Sequence, residues 1–284
     1  MKNDYYKLLK EVATCPSWSY SEDVIHPLIE KFLKDNFKDY SITKLPDHSL
    51  IVSIVSIPGN SDNEPIAIGC HIDKINHYNF QKEYDRLIFL YENDKFDDID
   101  KEQDSDLDET ETEIEYIENE TYVKGIMDNS IGLSLCLYIA KTVREQSDKP
   151  LYLLLSSQEE VGMNGARTIS EYMIKEQIRL PELFITLDTC PRCIGDRGVA
   201  LYRNGFDPNQ NIKKWFLKEN SEMFIGDGAT DYLVYSQYFT KKYKIPSIAI
   251  EPAVTNMHTL NEIVFKDDIQ LTYDLLVKFI TRKE

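Results

Sequence analysis

No stretch of this 284-residue chain approaches the roughly eighteen apolar residues that a membrane-spanning helix needs, and its first residues hold no apolar leader. A membrane partner is therefore not expected, and the cytoplasm is the expected location. A disulfide framework is also missing, because Cys15, Cys70, Cys136, Cys190 and Cys193 form an odd set without framework spacing, as suits a reducing compartment. Cys190 and Cys193 have CxxC spacing, but no second Cys or His pair accompanies them, so ordinary thiols are the reading preferred over a redox or structural zinc role. Basic residues are scarce, 32 Lys and Arg against 49 Asp and Glu, for a formal net charge of −17. Fifteen acids and two lysines between Glu92 and Glu120 supply −13 of that charge, leaving −4 for the rest. Nucleic-acid partners are excluded on this ground, since a polyanion needs a basic face. There is no internal repeat.

What is present is enough apolar material, 42 % of the residues, to fill the core of one main domain carrying an insert. The pattern predicts helices at 3–14 and 21–36, the second with Ser21 as N-cap and Glu22 and Asp23 in its first turn. Strands follow at 50–57 and 66–70, then, after the insert, a helix to about Gln146 and strands at 151–156, 183–187 and 247–250. Helices at 163–179, 209–219, 231–244 and 267–282 alternate with them. Such alternation predicts an α/β fold, a mostly parallel central sheet flanked by helices on both faces, with a small β-rich acidic insert. The main domain is assigned to 1–74 and 124–284 and the insert to 75–123, a hairpin-like segment with an acidic tip. Within it, Asp104, Asp106, Asp108 and Glu115 take positions of a calcium loop, but Glu109 stands where the turn demands glycine, so chance spacing in an acidic tract is preferred.

Chemistry gathers where the predicted strands end. Gln158 to Ala166 follows an apolar strand and begins with the adjacent carboxylates Glu159 and Glu160, which repel unless a cation lies between them. Ligands bind at that edge of open α/β sheets. Taken alone the pair is a solvated acidic turn, Asp128 an N-cap, and each histidine, His26, His48 and His77 included, an ordinary structural residue. Taken together, His71, Asp128, Glu160, Asp188 and His258 each fall at a strand end, helix start or following loop. Two imidazoles and three carboxylates suit two divalent ions, zinc first, with cobalt or manganese as alternatives, and one carboxylate must bridge. Two such ions would acidify a shared water for amide hydrolysis, with Glu159 as the base that carries its proton to the leaving amine. Asp73, two residues after His71, is placed to orient that imidazole.

The ordered set of Gly69-x-His71-x-Asp73, Asp128-Asn129-x-x-Gly132, Glu159 to Ala166, the strand-end Asp188 and Met257-His258-Thr259 resembles the co-catalytic zinc exopeptidases, nearest the TET-type glutamyl and deblocking aminopeptidases. The resemblance spans about residues 65 to 275. It implies Asp128 as the bridge, His71 and Asp188 on one ion, Glu160 and His258 on the other, Glu159 as base, and short peptides as substrates, with a homo-oligomer as a further implication. Thr230-Asp231 resembles the family's Gly-Thr-Asp-Ala loop, with Tyr232 in place of the alanine. The chain departs from the family in two ways. Only 57 positions separate His71 from Asp128, so the family's β-rich lid and assembly domain is cut down or replaced. Lys74 stands where relatives have glutamate, which changes the charge expected beside the site. Two other readings compete. Zinc carboxypeptidases and deacylases place an extra domain between their fourth and fifth ligands, where this chain has 70 positions. A non-catalytic metal-binding module would retain the fold and use the acidic insert to recruit a basic partner.

Overall fold

Leu153 and Leu155 join one apolar cluster and Leu154, between them, joins another, as the two-residue period of a strand requires when both faces of a sheet are covered. The computed structural model describes residues 3–54, 64–75, 114–191, 197–203, 211–226 and 228–282. Its strands are β1 (Tyr40–Lys44), β2 (Leu50–Ile54), β3 (Ile66–His71), β4 (Ile117–Glu118), β5 (Tyr122–Gly125), β6 (Leu151–Ser156), β7 (Leu183–Leu187), β8 (Val199–Arg203), β9 (Phe224–Gly226), β10 (Ser247–Pro252), β11 (Val254–Thr255) and β12 (Glu262–Phe265). Eight form one sheet in the order β1-β2-β6-β3-β7-β10-β8-β9. Its centre, β6-β3-β7-β10, is parallel throughout, and antiparallel pairings flank it at β1–β2, β2–β6 and β10–β8. The predicted α/β fold with a largely parallel sheet is therefore the observed one.

One face of the sheet is covered by α1 (Asn3–Ala13), α2 (His26–Asn36), α3 (Ser130–Gln146), α5 (Asn211–Glu219) and α7 (Lys266–Thr281). The other packs on α4 (Asn164–Lys175) and α6 (232–243), whose middle turn is π-helical. The helix α3 is buried along Ser130 to Ala140 without a polar stripe, because it lies between the sheet and both α1 and α7.

Several elements escaped the sequence pattern for a physical reason. Strand β1 is a half-exposed edge strand, and β9, β11 and β12 are two to four residues long, too short for a period to show. The helix expected over 21–36 begins as a 3-10 turn at Glu22–Ile25 and becomes α-helical only at His26, with Pro27 in the first turn. Ser21 makes no side-chain cap there; Glu22 instead turns inward and accepts the backbone N–H groups of Tyr20 at 3.0 Å and Gln158 at 3.1 Å. Asp104, Asp106 and Asp108, whose calcium-loop spacing is attributed to chance, the tip of the acidic insert and Cys193 lie outside the described residues. Cys15, Cys70, Cys136 and Cys190 are free thiols. Among the described residues no helix is long and apolar enough to cross a membrane.

A second sheet, β11-β12-β5-β4, crosses the assigned border between insert and main domain. Its β5 pairs with β12 so that Glu262 lies opposite Gly125, which brings the C-terminal segment against the start of α3.

Candidate metal centre and active site

The parallel strands deliver their ends to one edge. His71 closes β3 in register with Ser156 of β6, Glu159 and Glu160 occupy the turn after β6, and Asp188 follows β7. Asn129, rather than Asp128, caps α3, accepting the Gly132 N–H at 2.7 Å, and its amide nitrogen donates to the Leu187 carbonyl at 2.8 Å. That tie sets the helix start beside the end of β7 and leaves the Asp128 side chain free of capping duty. His258 arrives from the turn between β11 and β12 with a left-handed backbone, φ 60°.

All five expected ligands converge. The His71 Nε2 lies 3.2 Å from Asp128 Oδ1 and 3.3 Å from Asp188 Oδ1, while His258 Nε2 lies 3.4 Å from Asp128 Oδ2 and 3.6 Å from Glu160 Oε2. Ligand atoms of His71, Asp128 and Glu160 fall within 4.8 Å of one another. The Asp128 Oδ1 and Glu160 Oε1 atoms are buried without a hydrogen-bond partner, a costly state for carboxylate oxygens unless a cation fills the space before them. The donor set, imidazole nitrogen with carboxylate oxygen, is that of zinc and its neighbours, so these residues fit a metal.

The partners of the ligands are as definite as the ligands. The Asp73 main-chain carbonyl lies 3.1 Å from His71 Nδ1, which turns Nε2 toward Asp128 and Asp188. The Asp73 carboxylate accepts the N–H groups of Glu159 at 2.9 Å and Glu160 at 3.2 Å and the Ser19 hydroxyl at 2.8 Å. Asp73 thus faces the imidazole with both its carbonyl and its Oδ1, the latter 3.4 Å from Nδ1, and holds the paired glutamates through the same carboxylate. The Thr230 hydroxyl donates to Asp188 Oδ2 at 2.6 Å, and Asp231 accepts from the Ser156 hydroxyl behind the site. Gly165 permits α4 to start directly under the turn, since a Cβ there would come within 2.4 Å of the Ser157 nitrogen.

Glu262 belongs to the same cluster, although in the sequence it stands only as one acid four residues after His258. One of its oxygens accepts the N–H groups of Met127 and Asp128, and the other accepts the His258 N–H at 2.6 Å. A single carboxylate therefore holds ligands from two distant segments. The signal available in the sequence was an acid heading a short alternating strand four residues after a histidine ligand. Lys74, expected to alter the charge beside the site, turns away from it. Its ammonium donates to the carbonyls of Val12 at 2.7 Å, Ala13 at 3.1 Å and Cys15 at 2.6 Å, closing the end of α1.

Crowding of acids dominates the electrostatics. Burial first, opposed by His71 but reinforced by Asp188, Asp231 and Glu160, pushes the Glu159 carboxyl up to about 10. Burial and Asp128 push Glu160 up to about 8. His71 moves well above the ordinary imidazole value because Asp188, Asp128 and Asp73 outweigh its burial. Such a site lacks positive charge, which divalent ions supply. It opens into a cavity of about 300 Å³ at the edge of the sheet.

Residues 105–199, which contain Asp128, Glu159, Glu160 and Asp188, match the family described as M42 glutamyl aminopeptidase. No curated protein matches the chain in sequence. Among solved structures, the TET1 peptidase of Pyrococcus horikoshii, described as able to assemble into a tetrahedron or a large octahedral shell, superposes with a TM-score of 0.67 at 16 % identity, over 97 % of this chain and 99 % of its own. A TET aminopeptidase from a marine-sediment Thaumarchaeota archaeon gives 0.69 at 14 % identity over 99 % and 98 %, and the aminopeptidase PepT of Bacillus cereus 0.65 at 11 % over 98 % and 97 %. The motif order, the M42 match and the shared fold together identify the chain as a peptide hydrolase that resembles the M42 glutamyl aminopeptidases.

Proposed function

We propose that this peptide hydrolase is a dinuclear metallo-aminopeptidase that removes the first residue of short peptides. The observation that carries the reading is the pair of buried carboxylates of Asp128 and Glu160 set between two imidazoles, with Glu160 Oε1 left without a hydrogen-bond partner. Asp128 directs one oxygen to His71 and the other to His258, which supports it as the bridge, with Asp188 on the His71 side and Glu160 on the His258 side. Divalent ions held there, zinc first and cobalt or manganese next, would polarise the scissile carbonyl and make water acidic. Glu159, held by Asp73 through its N–H, takes the proton of the attacking water and returns it to the departing amine. Among the described residues the stretch between Asp188 and His258 is taken up by β8, α5, β9, α6, β10 and β11, which speaks against the extra domain that zinc carboxypeptidases and deacylases place there.

Residues 75–123 stand where the aminopeptidases have their assembly domain, and a homo-oligomer in the cytoplasm is the proposed state. The test is metal-loaded protein incubated with a panel of short peptides bearing free or acetylated N-termini, with products identified by mass. Release of single N-terminal residues, abolished by chelation and by acetylation, is the expected result. Cleavage within the peptides, at their C-termini, or none at all would refute the proposal.

A further inference from the structure

Beyond the expected ligands, a fifth carboxylate lines the same cavity. Glu251, in β10, follows Ile250, whose parallel register partner is Leu187, so Glu251 stands beside Asp188 on the same side of the sheet. It is 3 % exposed, and among the described residues its carboxylate has neither a hydrogen bond nor an ion pair. No lysine or arginine is among the described residues lining the cavity. Burial, and then repulsion from Asp188, Asp128 and Glu159, act on it and outweigh the opposing charge of His71.

Charge counting shows what is missing. Two divalent ions offset Asp128, Glu159, Glu160 and Asp188, and Glu251 is left over. It cannot complete a third metal site, because its cavity neighbours away from the ligand cluster, such as Thr189, Tyr202 and Ala229, offer no second carboxylate or imidazole. They offer an aromatic wall instead. Tyr202, on the adjacent strand β8, has its ring laid against Gly228, where a Cβ would come within 2.7 Å of the ring carbons. A buried carboxylate beside an aromatic face is the environment that receives an organic monocation.

We propose that Glu251 is the seat for an ammonium group on the first residue of the substrate. The assignment rests on the aminopeptidase reading above. Two groups carry that chemistry, the α-ammonium of any peptide and the side-chain ammonium of an N-terminal lysine. Under either, an N-terminal glutamate is a poor substrate despite the name of the matched family, because its carboxylate adds a further negative charge to five.

The experiment uses the metal-loaded full chain and Glu251→Gln, which keeps the shape of the side chain. Values of kcat/KM are taken for lysyl, norleucyl and glutamyl anilides, and calorimetric titrations with free lysine and norleucine report binding independently of turnover. Wild type is expected to favour lysyl and norleucyl over glutamyl substrates. In Glu251→Gln a loss of about 30-fold or more is expected, the scale of removing one partner of a buried charge pair. An equal loss for lysyl and norleucyl compounds assigns the α-ammonium; a loss confined largely to lysyl compounds assigns the side chain. Changes below about twofold in both kinetics and binding, with metal content retained, overturn the assignment. So does loss of metal, which would make Glu251 a ligand. If wild type cleaves no anilide, the aminopeptidase reading fails while the titrations still decide whether Glu251 holds an ammonium.

Discussion

Replacing Glu262 by glutamine tests whether one carboxylate sets the distance between two halves of the metal centre. The glutamate accepts three backbone N–H groups, those of Met127 and Asp128 on one oxygen and that of His258 on the other. An amide has a single oxygen. If it stays with Met127 and Asp128, the new NH₂ faces the His258 N–H, donor against donor. One charge-assisted bond, worth about 1.5–3 kcal/mol, is lost, and at 1.4 kcal/mol per decade the ion held by His258 binds about 10- to 100-fold more weakly. This is the scale expected when the support of a metal ligand is removed. Removing the negative charge weakens both ions alike, whereas the lost bond acts on the His258 side alone, so the ratio of the two affinities is the informative quantity. Stepwise zinc binding, followed by calorimetry and by metal content after chelator competition, measures it. Wild-type affinities at both sites, or selective loss of the ion on the His71 and Asp188 side, would refute the reasoning.

Glu159→Gln should retain both metals and lose turnover by about 10²- to 10⁴-fold, the contribution of a general base, and equal activity in the two proteins removes that role. Asp128→Ala should lose both ions in a metal analysis, since the bridge serves each. Burial pushes the Lys74 ammonium down to about 7 from an ordinary 10.5, against the three carbonyls that favour its charged form. Because its folded value is the lower one, the unfolded chain holds the extra proton between those limits. Stability should therefore rise with pH through that window, by up to about 1.4 kcal/mol per pH unit, and Lys74→Met should remove that slope in denaturation curves; identical slopes count against it. Gly165→Ala forces a methyl into the Ser157 backbone and should cost about 1–3 kcal/mol in urea unfolding; an unchanged midpoint would show that the close approach is not required.

Much of this protein is legible in one dimension because its central elements obey simple periods. Apolar runs at 66–71, 151–156 and 183–187 can only be buried strands, and a carboxylate or imidazole at the end of each is costly unless the ends meet at a ligand. For that reason His71, Glu160 and Asp188 could be placed together before any contact was known, joined by Asp128 at a helix start and His258 in the loop after a strand. What no local pattern carries is the direction of a side chain whose partner is far away in sequence. Lys74 reads as a charge beside the site, yet it is spent on carbonyls about sixty residues earlier. Glu262 reads as one acid among many, yet it reaches Asp128 across 134 positions through the pairing of β5 with β12, strands too short to announce themselves. Glu251 reads as the end of a strand, and only the neighbouring strands β7 and β8 make it a buried charge facing a cavity. Periodicity is a property of the chain alone and so determines elements and their ends; the pairing of distant short strands depends on total packing, and it alone decided how those ends were held, spaced and charged.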